Sequence, residues 1–128
     1  MTQLDLILQS DGAPGFEDMA WLFTCNNRNR GIIRQNFDEA ALLWKAVRAG
    51  GGPVLEVGRR FGGATALLAA ASGNRPVTSI DIAPEHRPRV QEMFDRIQTE
   101  RPRKLTLLVQ DSRQPLPGAE FGLIFIDG

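Results

Sequence analysis

A chain of 128 residues, 42% hydrophobic and 23% charged, is long enough for one domain with its own core, and its near-average composition without repeats excludes wholesale disorder. Fifteen basic residues balance fifteen acidic ones, so charge favours neither nucleic acid nor an anionic membrane as partner and leaves a small-molecule ligand as the better fit. The single cysteine, Cys25, cannot form an intramolecular disulfide, no apolar run approaches the roughly 18 residues of a membrane span, and MTQLDLILQS lacks the basic start of a secretory signal, so a cytoplasmic location is expected.

From the N-terminus, GFEDMAWLF places Phe16, Met19, Ala20 and Phe23 at i, i+3, i+4 and i+7, the spacing of one buried helical face. The Asn- and Gly-containing NNRNRG, residues 26–31, predicts a loop. A second helix is expected after Asn36, whose side chain caps the free amides while Glu39 completes a capping box. Ala40, Leu43, Trp44 and Val47 line its inner face, and Gly50, Gly51 and Gly52 end it through left-handed backbone.

At Pro53 the period changes. PVLEV predicts a strand, RRFGG a turn and ATALLAAAS a helix; PVTSID repeats the strand signal. Val90, Met93, Phe94 and Ile97 then mark a helix whose other side carries Arg89, Glu92, Asp95 and Arg96. KLTLLVQ is the third strand, and FGLIFID the fourth after the turn-rich SRQPLPGA. Strands alternating with helices predict an α/β fold: a Rossmann-like, doubly wound parallel sheet, partial at about four strands, with residues 1–52 a helical region before it and 53–128 the sheet-bearing half domain. The continuous apolar run LIFI fits a strand covered on both faces.

In such a sheet the ligand crevice lies outside the carboxyl ends of the strands. Each predicted strand ends in polar or acidic residues: Glu56, Asp81, Gln110 with Asp111, and Asp127. Any one Asp after a strand is ordinarily a helix cap, but four acidic groups at equivalent positions point to a shared site. The first loop, EVGRRFGGAT, has glycines at 58, 62 and 63. A dinucleotide fingerprint wants its second glycine where Arg60 stands, and a side chain there hinders a pyrophosphate, while Glu56 favours a cationic ammonium or sulfonium. Two alternatives stay open: Arg59 and Arg60 as phosphate ligands, or one or both as solvated loop residues. Asp81 lies 23 positions after Gly58, near the roughly 20-residue separation at which an acid reaches adenosine ribose hydroxyls.

These motifs carry a resemblance. ExGxxxGGxT at Glu56 to Thr65, SID at Ser79 to Asp81, QDS at Gln110 to Ser112 and IFIDG at Ile124 to Gly128 are similar in order and spacing to the motifs of class I S-adenosylmethionine-dependent methyltransferases, nearest to the O-methyltransferase-like subgroup whose first loop lacks the middle glycine. The resemblance runs from Val54 to the end. It implies that Gly58 and Gly62 form the turn beneath the methionine part of the cofactor, S-adenosylmethionine, with Glu56 orienting its amino group, and Arg59 of the same loop is a further cofactor-binding candidate. It implies further that Asp81 holds the ribose, that Asp111 and Ser112 sit beside the adenine, and that Asp127 faces methyl transfer to a small-molecule acceptor. In metal-dependent relatives the acid at the last position helps bind a divalent cation; no partner ligand is visible in this chain.

Relatives place further strands after the position of Gly128, so the fourth strand is expected to be an open edge that a second copy or another polypeptide covers. The catalytic base is not identified by any residue here. A non-catalytic nucleotide-binding or assembly module and an NAD-type oxidoreductase fragment are the competing functions. His86 and the arginines of NNRNRG are expected to be solvated, Trp21 and Trp44 to pack in a core or interface, and Cys25 to be a small core residue.

Overall fold

The computed structural model describes residues 13–23, 32–84, 87–115 and 120–127. The expectations for MTQLDLILQS, Cys25, NNRNRG, His86 and Gly128 fall outside these residues. The chain folds as an α/β protein around one parallel four-stranded sheet, β1 (Val54–Val57), β2 (Val77–Asp81), β3 (Leu105–Val109) and β4 (Leu123–Ile126), in the order β3-β2-β1-β4. A 3-10 helix (Phe16–Phe23) and helix α1 (Phe37–Ala49) precede the sheet, α2 (Gly63–Ala71) joins β1 to β2, and α3 (Pro88–Glu100) joins β2 to β3. This is the Rossmann-like succession expected from the alternating periods.

Pairing is in register across the sheet: Val54 sits beside Val77 and Leu123, and Val77 beside Leu105. Because side chains alternate between faces, Val54, Glu56, Val77, Ser79, Leu105, Leu107, Leu123 and Phe125 share one face. All four described helices bury their apolar residues against that face: Phe16, Met19 and Leu22, then Trp44 and Val47, Leu67 and Leu68, and Val90 and Phe94 join Val54, Val77 and Leu105 in a single core. The opposite face is partly bare. Ile124 and Ile126 are 55% and 71% exposed, so the run LIFI is covered on one face only, which corrects the expectation of two. The reason is that all four described helices pack on the other face.

The N-terminal helix differs from expectation in a similar physical way. The segment is a 3-10 helix rather than an α-helix, with three residues per turn, so Phe16, Met19 and Leu22 are buried while Ala20 is exposed and Phe23 half-buried. The Asn36 cap is present as read. Asn36 Oδ1 accepts from the Glu39 amide at 2.8 Å, and Glu39 Oε1 accepts from the Asn36 amide at 3.1 Å. The helix ends at Gly50 in extended backbone, not left-handed; positive φ falls two residues later, at Gly52, where Gly122 donates its amide to the Pro53 carbonyl close by. Trp44 is buried, its indole donating to the Pro14 carbonyl at 3.0 Å, whereas Trp21 is 47% exposed.

Candidate functional site

Strand order reverses between β1 and β4, since β2 and β3 extend the sheet to one side of β1 and β4 lies on the other. At the carboxyl ends of all four strands a crevice of about 420 Å³ opens. It is lined by Val57 and Gly58 after β1, Ile80, Asp81 and Ile82 at β2, Gln110, Asp111 and Ser112 after β3, and Ile126 and Asp127 at β4, with Arg60 from the first loop. Five of the eight residues singled out from sequence therefore meet in one cavity: Gly58, Asp81, Asp111, Ser112 and Asp127. Glu56, Arg59 and Gly62 lie behind its wall.

The wall is built by the loop between β1 and α2. Gly58 and Gly62 have φ of +95° and +82°, and Arg60, where the dinucleotide fingerprint places glycine, also takes positive φ at +46°. That unusual backbone is held by the Arg60 amide donating to Asp81 Oδ2 at 2.8 Å, while Asp81 Oδ1 accepts from the Ala83 amide at 3.0 Å. Partial burial alone pushes the Asp81 carboxyl up, but these amide bonds and the Arg59 charge outweigh it, so its pKa lies below the ordinary value. Asp81 keeps lone pairs for further donors, as each carboxylate oxygen accepts more than one hydrogen bond. Gly62 serves packing instead: a Cβ there would stand 2.7 Å from Phe94 and 2.8 Å from Val90, so its absence lets α3 close on the loop.

Arg59 is 4% exposed and is not a solvated loop residue. Its guanidinium donates to the Ser79 carbonyl at 2.9 Å, and its charge acts on both Glu56 and Asp81, so it ties the loop to β2 rather than offering itself to a phosphate. Of the two arginines, Arg60 is the exposed one. Glu56 is fully buried on the helix-covered face, accepting from Thr65 Oγ1 and, at 2.6 Å, from Ser79 Oγ, both at Oε1; Oε2 has no partner among the described residues. Burial raises its pKa to about 7, against the lowering effect of the Ser79 and Thr65 bonds and the Arg59 charge.

A pH dependence follows. Because the folded state holds the Glu56 proton more tightly than the unfolded one, the stability this group contributes is greatest in acid and falls as pH rises from about 4.5 towards 7. Between pH 5 and pH 7 the loss from this group is expected to be about 2 kcal/mol. Urea unfolding at the two pH values measures it. Glu56→Gln, which keeps an acceptor for Thr65 and Ser79, removes that slope; an unchanged slope in the variant would assign it elsewhere.

Asp111 sits at the β3 end with both carboxylate oxygens engaged by its neighbour: Arg113 Nη2 donates to Oδ2 at 2.6 Å and Nε to Oδ1 at 3.0 Å. This pairing, with the Arg113 amide bond, holds the Asp111 pKa below its usual value. Arg113 is 87% exposed and was not apparent as a site residue, although its spacing of two from Asp111 is the only sequence sign. Two other contributors were also not evident: Ile82, an apolar side chain 76% exposed at the crevice, and Gln35, whose Nε2 donates to Asp127 Oδ2 at 2.9 Å from 92 residues away. The crevice thus joins three carboxylates to apolar walls of Val57, Ile80, Ile82 and Ile126. Among the described residues no cluster of three or more His, Cys, Asp or Glu could hold a metal ion, and no helix is long and apolar enough to cross a membrane. Comparison with protein-family models, curated proteins and solved structures found no match to this chain.

Proposed function

We propose that the crevice binds S-adenosylmethionine and that the chain is the cofactor-binding portion of a class I methyltransferase acting, in the cytoplasm, on a small-molecule acceptor, at oxygen. The observation that carries this is the convergence of Asp81, Asp111 and Asp127 on one crevice at the strand-order reversal, with Gly58 at its floor. Its volume of about 420 Å³ falls within the range of about 300–1,000 Å³ common for small-molecule sites. The charges suit the ligand: acids line the crevice, and the exposed Arg60 side chain stands where a pyrophosphate would need bare backbone.

Each residue then has a physical task. The free lone pairs of Asp81 accept from the ribose hydroxyls, and its amide bonds keep it aimed. Ile82 and Ile80 offer apolar surface to the flat base, and Asp111 with Ser112 offers polar contacts at its edge. Asp127, at the other end, faces the cationic part. When bound, the cofactor supplies an electrophilic methyl group on a sulfonium. The chain's part is to fix that methyl's position relative to the acceptor, since orientation is the main source of acceleration in such a transfer. A second copy covering the outer edge of β4 belongs to the same proposal, because among the described residues that strand pairs on one side only, and its Ile124 and Ile126 are exposed.

Titration calorimetry with S-adenosylmethionine, S-adenosylhomocysteine and NAD tests the proposal. Binding of the two sulfur nucleosides, with NAD much weaker, is the expected result. Tight binding of NAD alone would replace the methyltransferase by an oxidoreductase fragment, and binding of none would leave a module of another kind.

A further inference from the structure

Three buried side-chain atoms among the described residues lack a hydrogen-bond partner, and two of them, Gln35 Oε1 and Glu56 Oε2, belong to residues that act on Asp127. Gln35 does so through its hydrogen bond, and Glu56 through charge. The orientation of the Gln35 amide is fixed by chemistry, because the carboxylate oxygens of Asp127 accept and only the NH2 end can donate to them. The oxygen is therefore the end left over. Its position is also held. Gln35 lies in the segment between the 3-10 helix and α1, where the Ile33 amide donates to the Leu22 carbonyl at 3.3 Å, Ile32 and Ile33 lie against Gly63, and Asn36 caps α1. A side chain so anchored cannot turn to water cheaply. Gln35 Oε1 is thus an acceptor left without a donor on the residue that holds Asp127 at the crevice, an arrangement that calls for a compact group rich in N–H.

We infer that Gln35 is a positioning residue for the amino-acid end of the ligand, steadying Asp127 through Nε2 and accepting through Oε1 from the ligand's ammonium. The inference rests on the proposed binding of S-adenosylmethionine and adds a residue outside the half domain that carries the motifs.

The test compares two probes that differ only in the amino-acid end: S-adenosylhomocysteine and 5′-methylthioadenosine, titrated into the wild-type chain and into Gln35→Met and Gln35→Ala. In both variants the affinity for S-adenosylhomocysteine is expected to fall about tenfold, the loss of one charge-assisted hydrogen bond, while that for 5′-methylthioadenosine stays within about twofold. The ratio of the two affinities is taken within each variant, so a lower folded fraction cancels. An unchanged ratio, whether both affinities hold or both fall, would overturn the role of Gln35 while leaving the cofactor assignment standing. A wild-type chain that binds neither probe would overturn both. Magnesium alone binding to the wild type but not to Gln35→Met would also overturn it, giving these oxygens to a divalent cation.

Discussion

Asp81→Asn is expected to weaken binding of S-adenosylhomocysteine by about 100-fold, equivalent to about 2.8 kcal/mol, in titration calorimetry. The carboxylate is placed at the end of β2 with its amide bonds to Arg60 and Ala83 on one side and the crevice on the other. Removing its charge turns two charge-assisted bonds to ribose hydroxyls into at most one neutral bond. Asparagine keeps one acceptor for the two amides that Asp81 serves through separate oxygens, so one loop bond is lost as well, and thermal melting of the free variant measures that part of the effect. Asp95→Ala is the control: Asp95 is exposed on α3 and is bonded by Gln91 Nε2 at 2.8 Å. Its affinity should stay within about twofold. Similar losses in both variants would remove Asp81 from the site.

Gly63→Ala is expected to destabilise the fold by about 3 kcal/mol and to lower the melting temperature by about 10 °C. Two effects compete. Alanine favours a helix over glycine by about 1 kcal/mol, and Gly63 is the first residue of α2. Yet a Cβ there would lie 2.3 Å from the Ile33 Cα and 2.4 Å from its nitrogen, and these are backbone atoms that cannot rotate aside. Overpacking wins. Displacing Ile33 also moves Gln35 two residues on, so the variant should lose ligand affinity as well as stability. A variant as stable as the wild type, measured by thermal melting, would mean that the segment can retreat from α2 freely.

The parallel sheet and its crevice were legible because they depend on period and position alone. In a parallel sheet every strand finishes at the same rim, so an acid ending each of PVTSID, KLTLLVQD and FGLIFID has to arrive at one place, and Asp81, Asp111 and Asp127 do. What escaped notice depends on contacts between distant segments. Gln35 meets Asp127 across 92 residues, and nothing in NFDEA or its approach marks a glutamine for that role. Arg59 reads as a loop cation because arginine after a strand is ordinarily wet; partners on distant segments, among them Ser79 on β2 and the carboxyl groups of Glu56 and Asp81, make its burial tolerable. The apolar spacing of Phe16, Met19, Ala20 and Phe23 fits an α-helix, but Phe16, Met19 and Leu22 fit a 3-10 turn equally well, and packing against α1 selected the latter.

The outermost strands, β3 and β4, share no hydrogen bond and are separated by the width of β2 and β1. The crevice nonetheless reaches from Asp111 beyond one to Asp127 beyond the other. Any molecule long enough to touch both would act as a cross-brace over the rim. Fraying of either flank would then require letting go of the guest, so occupancy and the integrity of the two sheet margins would rise and fall together.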